Sequence, residues 1–368
     1  MYPRSLFTRI RRSGRLVVAI TAVVALAACS GPTAPVSSGT GEEEVRSVRI
    51  AVTNNLVGLP LFAGVEQGIF AENGLDVTLN VVASGNDAAR ALQAGDVDFA
   101  LASTVSLVAI RSGGVDVSLV VMTSGDATNA SYDLGNGILA RVDSGITKED
   151  PQSLVGKTVA TNVGGSPAAY LSGYLEAHGI AADDVEILNT PVPETVPALE
   201  QGLVDAIATV EPQLSAARLA LGDNAVLISQ LEGYTTAAVG LVAMADTIDG
   251  EAELVEKIVR SVAQAAQYTR QNADSAVQAA LTYINGLEFD VARLSHEVAV
   301  NDPRISICTV QALEKGIEDA LEAEQITQAI DPQDAIATQA IDALVQSEPA
   351  LFDDLPVVPT SAAGCDRA

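Results

Sequence analysis

The residues of this 368-residue chain whose types could do chemistry point to hydrogen bonding rather than to bond-making. Its two histidines, His178 and His296, stand far apart, and His178 falls just before Gly179 in the last turn of a helix, where a capping role is expected. No pair or trio of His, Cys or carboxylates has metal-ligand spacing. Gly164-Gly165-Ser166-Pro167 is not a nucleophile elbow. No catalytic residue, metal or cofactor is therefore expected. What remains are short polar loops: Thr53-Asn54-Asn55, Ser103-Thr104 and Gly164-Gly165-Ser166, each following an expected strand. Ser103-Thr104 can cap the next helix, and Gly164-Gly165-Ser166 leads into one through Pro167. Loops of this kind offer neutral donors in a partial positive field, suited to the oxygens of a sulfonate, carboxylate or nitrate. Ser and Asn also cap helices without touching any ligand, and for each loop that alternative stays open.

The elements that would hold these loops alternate strand and helix from Ser47 onward. Strands are expected at Val48–Thr53, Leu75–Val82, Val97–Ala102 and Val117–Thr123, with helices at Leu59–Gln67 and Asn86–Gln93 between them. After the polar stretch SGDATNASYDLGNG a second series begins. It has strands at Gly137–Arg141, Lys157–Asn162, Val185–Asn189 and Asp205–Val210, and helices at Ala168–His178 and Val196–Gln201. These βαβ units predict two mostly parallel sheets, with ligand outside the carboxyl ends of the strands. One sentence of the sequence occurs twice: ALQAGDVDFALAST (Ala91–Thr104) and ALEQGLVDAIATVE (Ala198–Glu211) both read as helix, Gly, Val-Asp, strand. From Ala237–Asp246 the chain returns to helices, including an apolar face on Leu254, Val255, Ile258, Val259, Val262 and Ala266. Asp331-Pro332 predicts the start of a helix running through Val345.

The N-terminal residues say where such a molecule would work. Arg4, Arg9, Arg11, Arg12 and Arg15 precede the apolar run Leu16–Ala27, which is too short to span a bilayer and reads as a signal peptide over residues 1–28. Leu26-Ala27-Ala28-Cys29 resembles a bacterial lipobox, which would make Cys29 the lipidated residue and residues 29–46 a flexible tether rich in Gly, Ser, Pro and Glu. Loss of residues 1–28 would take the formal charge from −27 to −32, a surface that repels nucleic acid and anionic lipid. Cys308 and Cys365 remain, and in an oxidising compartment a disulfide between them is the leading expectation, with two free thiols as the alternative.

The stretches GLPLFAGVEQGIFAENGLDVTLNVVASGNDAARALQAGDVDFALAST and SLVGKTVATNVGGSPAAYLSGYLEAHGIAADDVEILNTPVPETVPALEQGLVDAIATVEP together resemble the ABC-importer solute-binding proteins for nitrate, sulfonates, taurine and thiamine-pyrimidine precursors, over Val48–Pro212 in order. The resemblance implies a two-lobe α/β fold of the periplasmic-binding-protein type II kind, with lobe one at 47–134 and 234–368, lobe two at 135–233, and a ligand cleft between them. The C-terminal region would be helical. It implies a monomer anchored by lipid, with ABC permease subunits, a small solute and no nucleic acid as partners. It also adds Glu211 to the pocket, as an acid before proline, and more weakly Asn189; Val210 stands where the family commonly has an aromatic. A carboxylate there would repel a bare anion and suit an N–H or ammonium group. Tyr132, Tyr170, Tyr174 and Tyr234 are near enough to the loops to stack on a ring. A sensor without a permease would have the same sequence. The related pyrimidine synthases carry a cysteine-rich segment that this chain lacks.

Overall fold

A computed structural model describes residues 45–365 except 134, 164, 237, 323 and 325. The signal peptide, Cys29, nearly all of the tether and Gly164 lie outside the described residues. The strands are β1 (Arg46–Thr53), β2 (Leu75–Val82), β3 (Phe99–Ser103), β4 (Val117–Ser124), β5 (Asn136–Arg141), β6 (Thr158–Thr161), β7 (Glu186–Asn189), β8 (Ala206–Val210), β9 (Ala225–Gln230) and β10 (Val239–Met244). They form two five-stranded sheets, ordered β2-β1-β3-β10-β4 and β7-β6-β8-β5-β9. In each sheet the first three strands are parallel, and the fourth, β10 or β5, runs antiparallel to both neighbours.

The repeated sentence occupies the same place in both sheets. Helix Gly85–Ala94 stops at Gly95 (φ 73°), helix Val192–Glu200 stops beside Gly202 (φ 70°), and both glycines supply the left-handed turn that ends a helix without a Cβ penalty. The strands that follow, β3 and β8, each sit third in the order. Between helix and strand, Val97 and Val204 are buried, and the aspartates after them do identical work. Asp98 Oδ2 accepts from the Arg49 amide at 2.8 Å, and Asp205 Oδ2 accepts from the Thr158 amide at 3.0 Å. Each carboxylate thus ties the entry of the third strand to the central parallel strand beside it, which explains why the sequence keeps Val-Asp twice.

The first sheet packs against the long helix Ala252–Gln271, whose Leu254, Val255, Ile258, Val259 and Val262 enter one large core with β1, β3, β4 and β10. The second sheet carries a separate apolar cluster on each face. Two expectations change here. The chain does not pass straight to helices at Ala237–Asp246, because Val239–Met244 is β10 and completes the first sheet. Asp331 does cap Pro332, through the Gln333 amide, but the result is a short 3-10 turn, Pro332–Ala335, and the helix restarts only at Gln339–Ser347. Cys308 and Cys365 are joined by a disulfide that holds the C-terminal segment to helix Ile307–Glu322. Among the described residues no helix is long and apolar enough to cross a membrane.

Candidate functional site

The carboxyl ends of strands from both sheets, with the segments that cross between them, surround an inner cavity of about 230 Å³. Asn55 follows β1, Ser124 ends β4, Tyr132 and Gly135 lie on the crossing to β5, Ser166 opens helix Ser166–Ala177, Val210 ends β8 and Glu211 follows it. His296, Val298 and Ala299 close it from the C-terminal region. A wider groove of about 1090 Å³ continues outward past Asn54, Asn55, Glu211, Glu288 and Asp290. No Lys or Arg lines either space among the described residues, so the charged lining groups are all acidic.

Most of the polar lining atoms already have protein partners. Asn55 Oδ1 accepts from Thr53 Oγ1 at 3.0 Å and from the Val57 amide at 3.3 Å, starting a 3-10 turn. Glu211 Oε2 accepts from the Ser215 amide at 3.1 Å, capping helix Gln213–Leu221, and its Oε1 accepts from Gln230 Nε2 at 2.9 Å. Ser166 Oγ donates to Asn136 Oδ1 at 3.1 Å. Asn136 in turn donates to the Asp133 carbonyl at 2.7 Å and to Thr235 Oγ1 at 3.4 Å, linking both crossing segments to the helix that bears Ser166. The Tyr132 hydroxyl accepts from the Val300 amide at 3.2 Å, and burial pushes its phenol pKa up, so it stays protonated.

Of the polar residues expected to contact ligand, Asn54, Asn55, Ser166 and Glu211 line these spaces, whereas Ser103, Thr104, Gly165 and Asn189 do not. Ser103 Oγ is spent accepting from the Ser106 amide at 3.1 Å, the ordinary N-cap of helix Thr104–Ser112. Thr104 is buried beneath the returning chain, its amide donating to the Ala238 carbonyl at 2.9 Å. The return crossing therefore covers the end of β3, and only the second copy of the repeat reaches the cavity. Gly165 is the N-cap of its helix, and a Cβ there would meet Asn162 Oδ1 at 2.7 Å. Asn189 Oδ1 accepts from the Val163 amide at 3.1 Å and borders neither space. Of the four tyrosines only Tyr132 lines the cavity. Tyr170 and Tyr174 are buried in the second sheet's core with Tyr234 edge-on to both, at 5.2 and 5.7 Å. His178 is the C-cap of helix Ser166–Ala177, as expected.

Ser124 and His296 escaped the reading of the sequence. Ser124 ends a strand followed by a polar stretch, a signal that could have found it. His296 arrives through the packing of distant helices, which no local pattern announces.

The family model described as NMT1/THI5 like matches residues 55–276. A protein of Bacillus subtilis (strain 168), provisionally named an aliphatic sulfonates-binding protein, is 27% identical over 205 residues, 54% of this chain and 57% of that protein. The bicarbonate-binding protein CmpA of Synechococcus elongatus is 25% identical over 265 residues, 67% of this chain and 58% of that protein. The chain thus spans less than two thirds of the length of these relatives. Among solved structures, the periplasmic aliphatic sulphonate binding protein SsuA from Escherichia coli superposes with a TM-score of 0.67 at 17% identity, covering 80% of this chain and 92% of that one. The desulfurization enzyme DSZB shares the fold too, with a TM-score of 0.58 at 15% identity over 82% of this chain and 99% of that one. With the family match extending over more than half of its length, the chain belongs to the NMT1/THI5-like family.

Proposed function

We propose that the protein captures a small polar solute and hands it to an ABC permease, held outside the cytoplasmic membrane by lipid on Cys29. In this reading the segments 47–134 with 234–368 and the segment 135–233 are two lobes that close on the solute, acting as a monomer and without a cofactor. The observation that carries it is the inner cavity, lined jointly by strand ends of both sheets, so that a bound solute would bridge them and favour a closed state. The names of the relatives, which bind aliphatic sulfonates or bicarbonate, support solute capture, and the periplasmic SsuA supports an extracytoplasmic place of work. The fold itself is compatible with catalysis, as DSZB illustrates. Binding is favoured because the cavity-lining residues include one histidine and no cysteine among the described residues, and Glu211 is committed to a helix cap and to Gln230.

Calorimetry and small-angle scattering on the purified protein test this. Saturable binding of a small solute with contraction of the particle is the expected result. Turnover of that solute without any contraction would replace the reading with an enzymatic one.

A further inference from the structure

His296 ends helix Phe289–His296 and is only 8% exposed, yet it borders the inner cavity. Its Nε2 lies 3.4 Å from the Thr269 carbonyl oxygen. A carbonyl can only accept, so Nε2 carries the ring hydrogen and Nδ1 keeps its lone pair. That Nδ1 is buried and has no hydrogen-bond partner. It is the one such side-chain atom among the described residues that line the cavity. Burial, reinforced by the neighbouring Arg293, lowers the imidazole pKa against the opposing pull of the Thr269 carbonyl and Glu297, so the ring stays neutral near pH 7. A buried acceptor left unpaired is costly; Nδ1 is closed to water in this conformation, and a donor reaches it when the cavity wall shifts as the solute binds.

We propose that His296 Nδ1 accepts a hydrogen bond from the bound solute, so that the site selects solutes bearing an N–H or O–H donor over near-identical solutes that bear none. The inference rests on the solute-capture reading above and sharpens it. Glu211 points the same way, since a carboxylate at the cavity wall favours a donor, and among the described residues no Lys or Arg lines the cavity to hold a bare anion. A relative's bicarbonate fits this chemistry in a way that nitrate would not, because bicarbonate keeps one O–H.

The test uses matched pairs that differ chiefly in the donor: bicarbonate against nitrate, taurine against ethanesulfonate, and 4-aminopyrimidine against pyrimidine. Each is titrated by calorimetry into the full-length protein in detergent at neutral pH, up to millimolar concentration. In any pair that binds, the donor-bearing member should bind roughly tenfold tighter or better, and H296F should abolish that preference. Because H296F also loses the contact to Thr269, ring ¹⁵N spectra of the wild-type protein give a second reading. With only two histidines, H178Q identifies the His296 signals, and the donor-bearing member alone should shift Nδ1. A donorless member that binds as tightly, or a Nδ1 signal that does not move on binding, overturns the role of His296 while leaving solute capture standing. If no member of any pair binds, the inference and the solute-capture reading fall together.

Discussion

Asp133 is the residue whose chemistry is least like that of its free side chain. It is fully buried at 0% exposure on the crossing to β5, where its Oδ2 accepts from the Gly233 amide at 3.2 Å and its Oδ1 has no partner. Burial pushes its pKa up to about 7, the Gly233 and Gly135 amides oppose the rise, and Glu232 adds to it. Tyr170 also feels the charge of Asp133, and burial chiefly raises that phenol as well. The folded state therefore favours protonated Asp133. Its contribution is fully present below about pH 4 and is lost as pH rises through about 7. Asp133→Asn should flatten this dependence and raise stability above pH 7 by on the order of a few kcal/mol, read from urea midpoints at acidic and alkaline pH. An unchanged pH slope would show that Asp133 ionises freely in the fold. Nothing in the sequence distinguishes Asp133 from the polar residues around it, because its burial is a product of two crossing segments meeting. By contrast Asn55 was legible just past its strand and Ser166 at the loop that leads from β6 into a helix through Pro167, while Glu211 came through the family resemblance.

Strands and helices were readable where period and punctuation agreed. Leu75–Val82 appears with the expected bounds, and the other strands of the two series differ at their ends by a residue or two. β9 and β10 were not readable, for a physical reason: a short run of Ala, Val, Leu and Met suits a buried strand or a helix equally, and only its neighbours decide. For β10 the decision lies in Gly240. A Cβ there would meet the Val121 carbonyl oxygen at 2.3 Å and the Leu119 side chain at 2.5 Å, so the strand can enter between β3 and β4 only because that position is bare. Gly240→Ala should cost more than about 1 to 3 kcal/mol, since backbone rather than a flexible side chain must yield. Thermal unfolding measures it, and a variant as stable as the parent would mean that the sheet widens freely at this place.

On the scale of the molecule, the two sheets use the same order but draw on the chain differently. All strands of the second sheet come from one stretch, Asn136–Gln230, whereas in the first sheet the neighbouring strand of the edge strand β4 is β10, which the chain supplies after the second sheet is complete. The disulfide likewise waits for Cys365. A polypeptide that emerges N-terminus first thus has every strand of the second sheet in hand while the first still lacks its inner partner. Long-range pairing of this kind forms late. Pulse-labelled hydrogen exchange during refolding should accordingly protect the amides of β5, β6 and β8 before those of β4. Simultaneous protection would mean that the first sheet assembles around a place held open for a strand still to come.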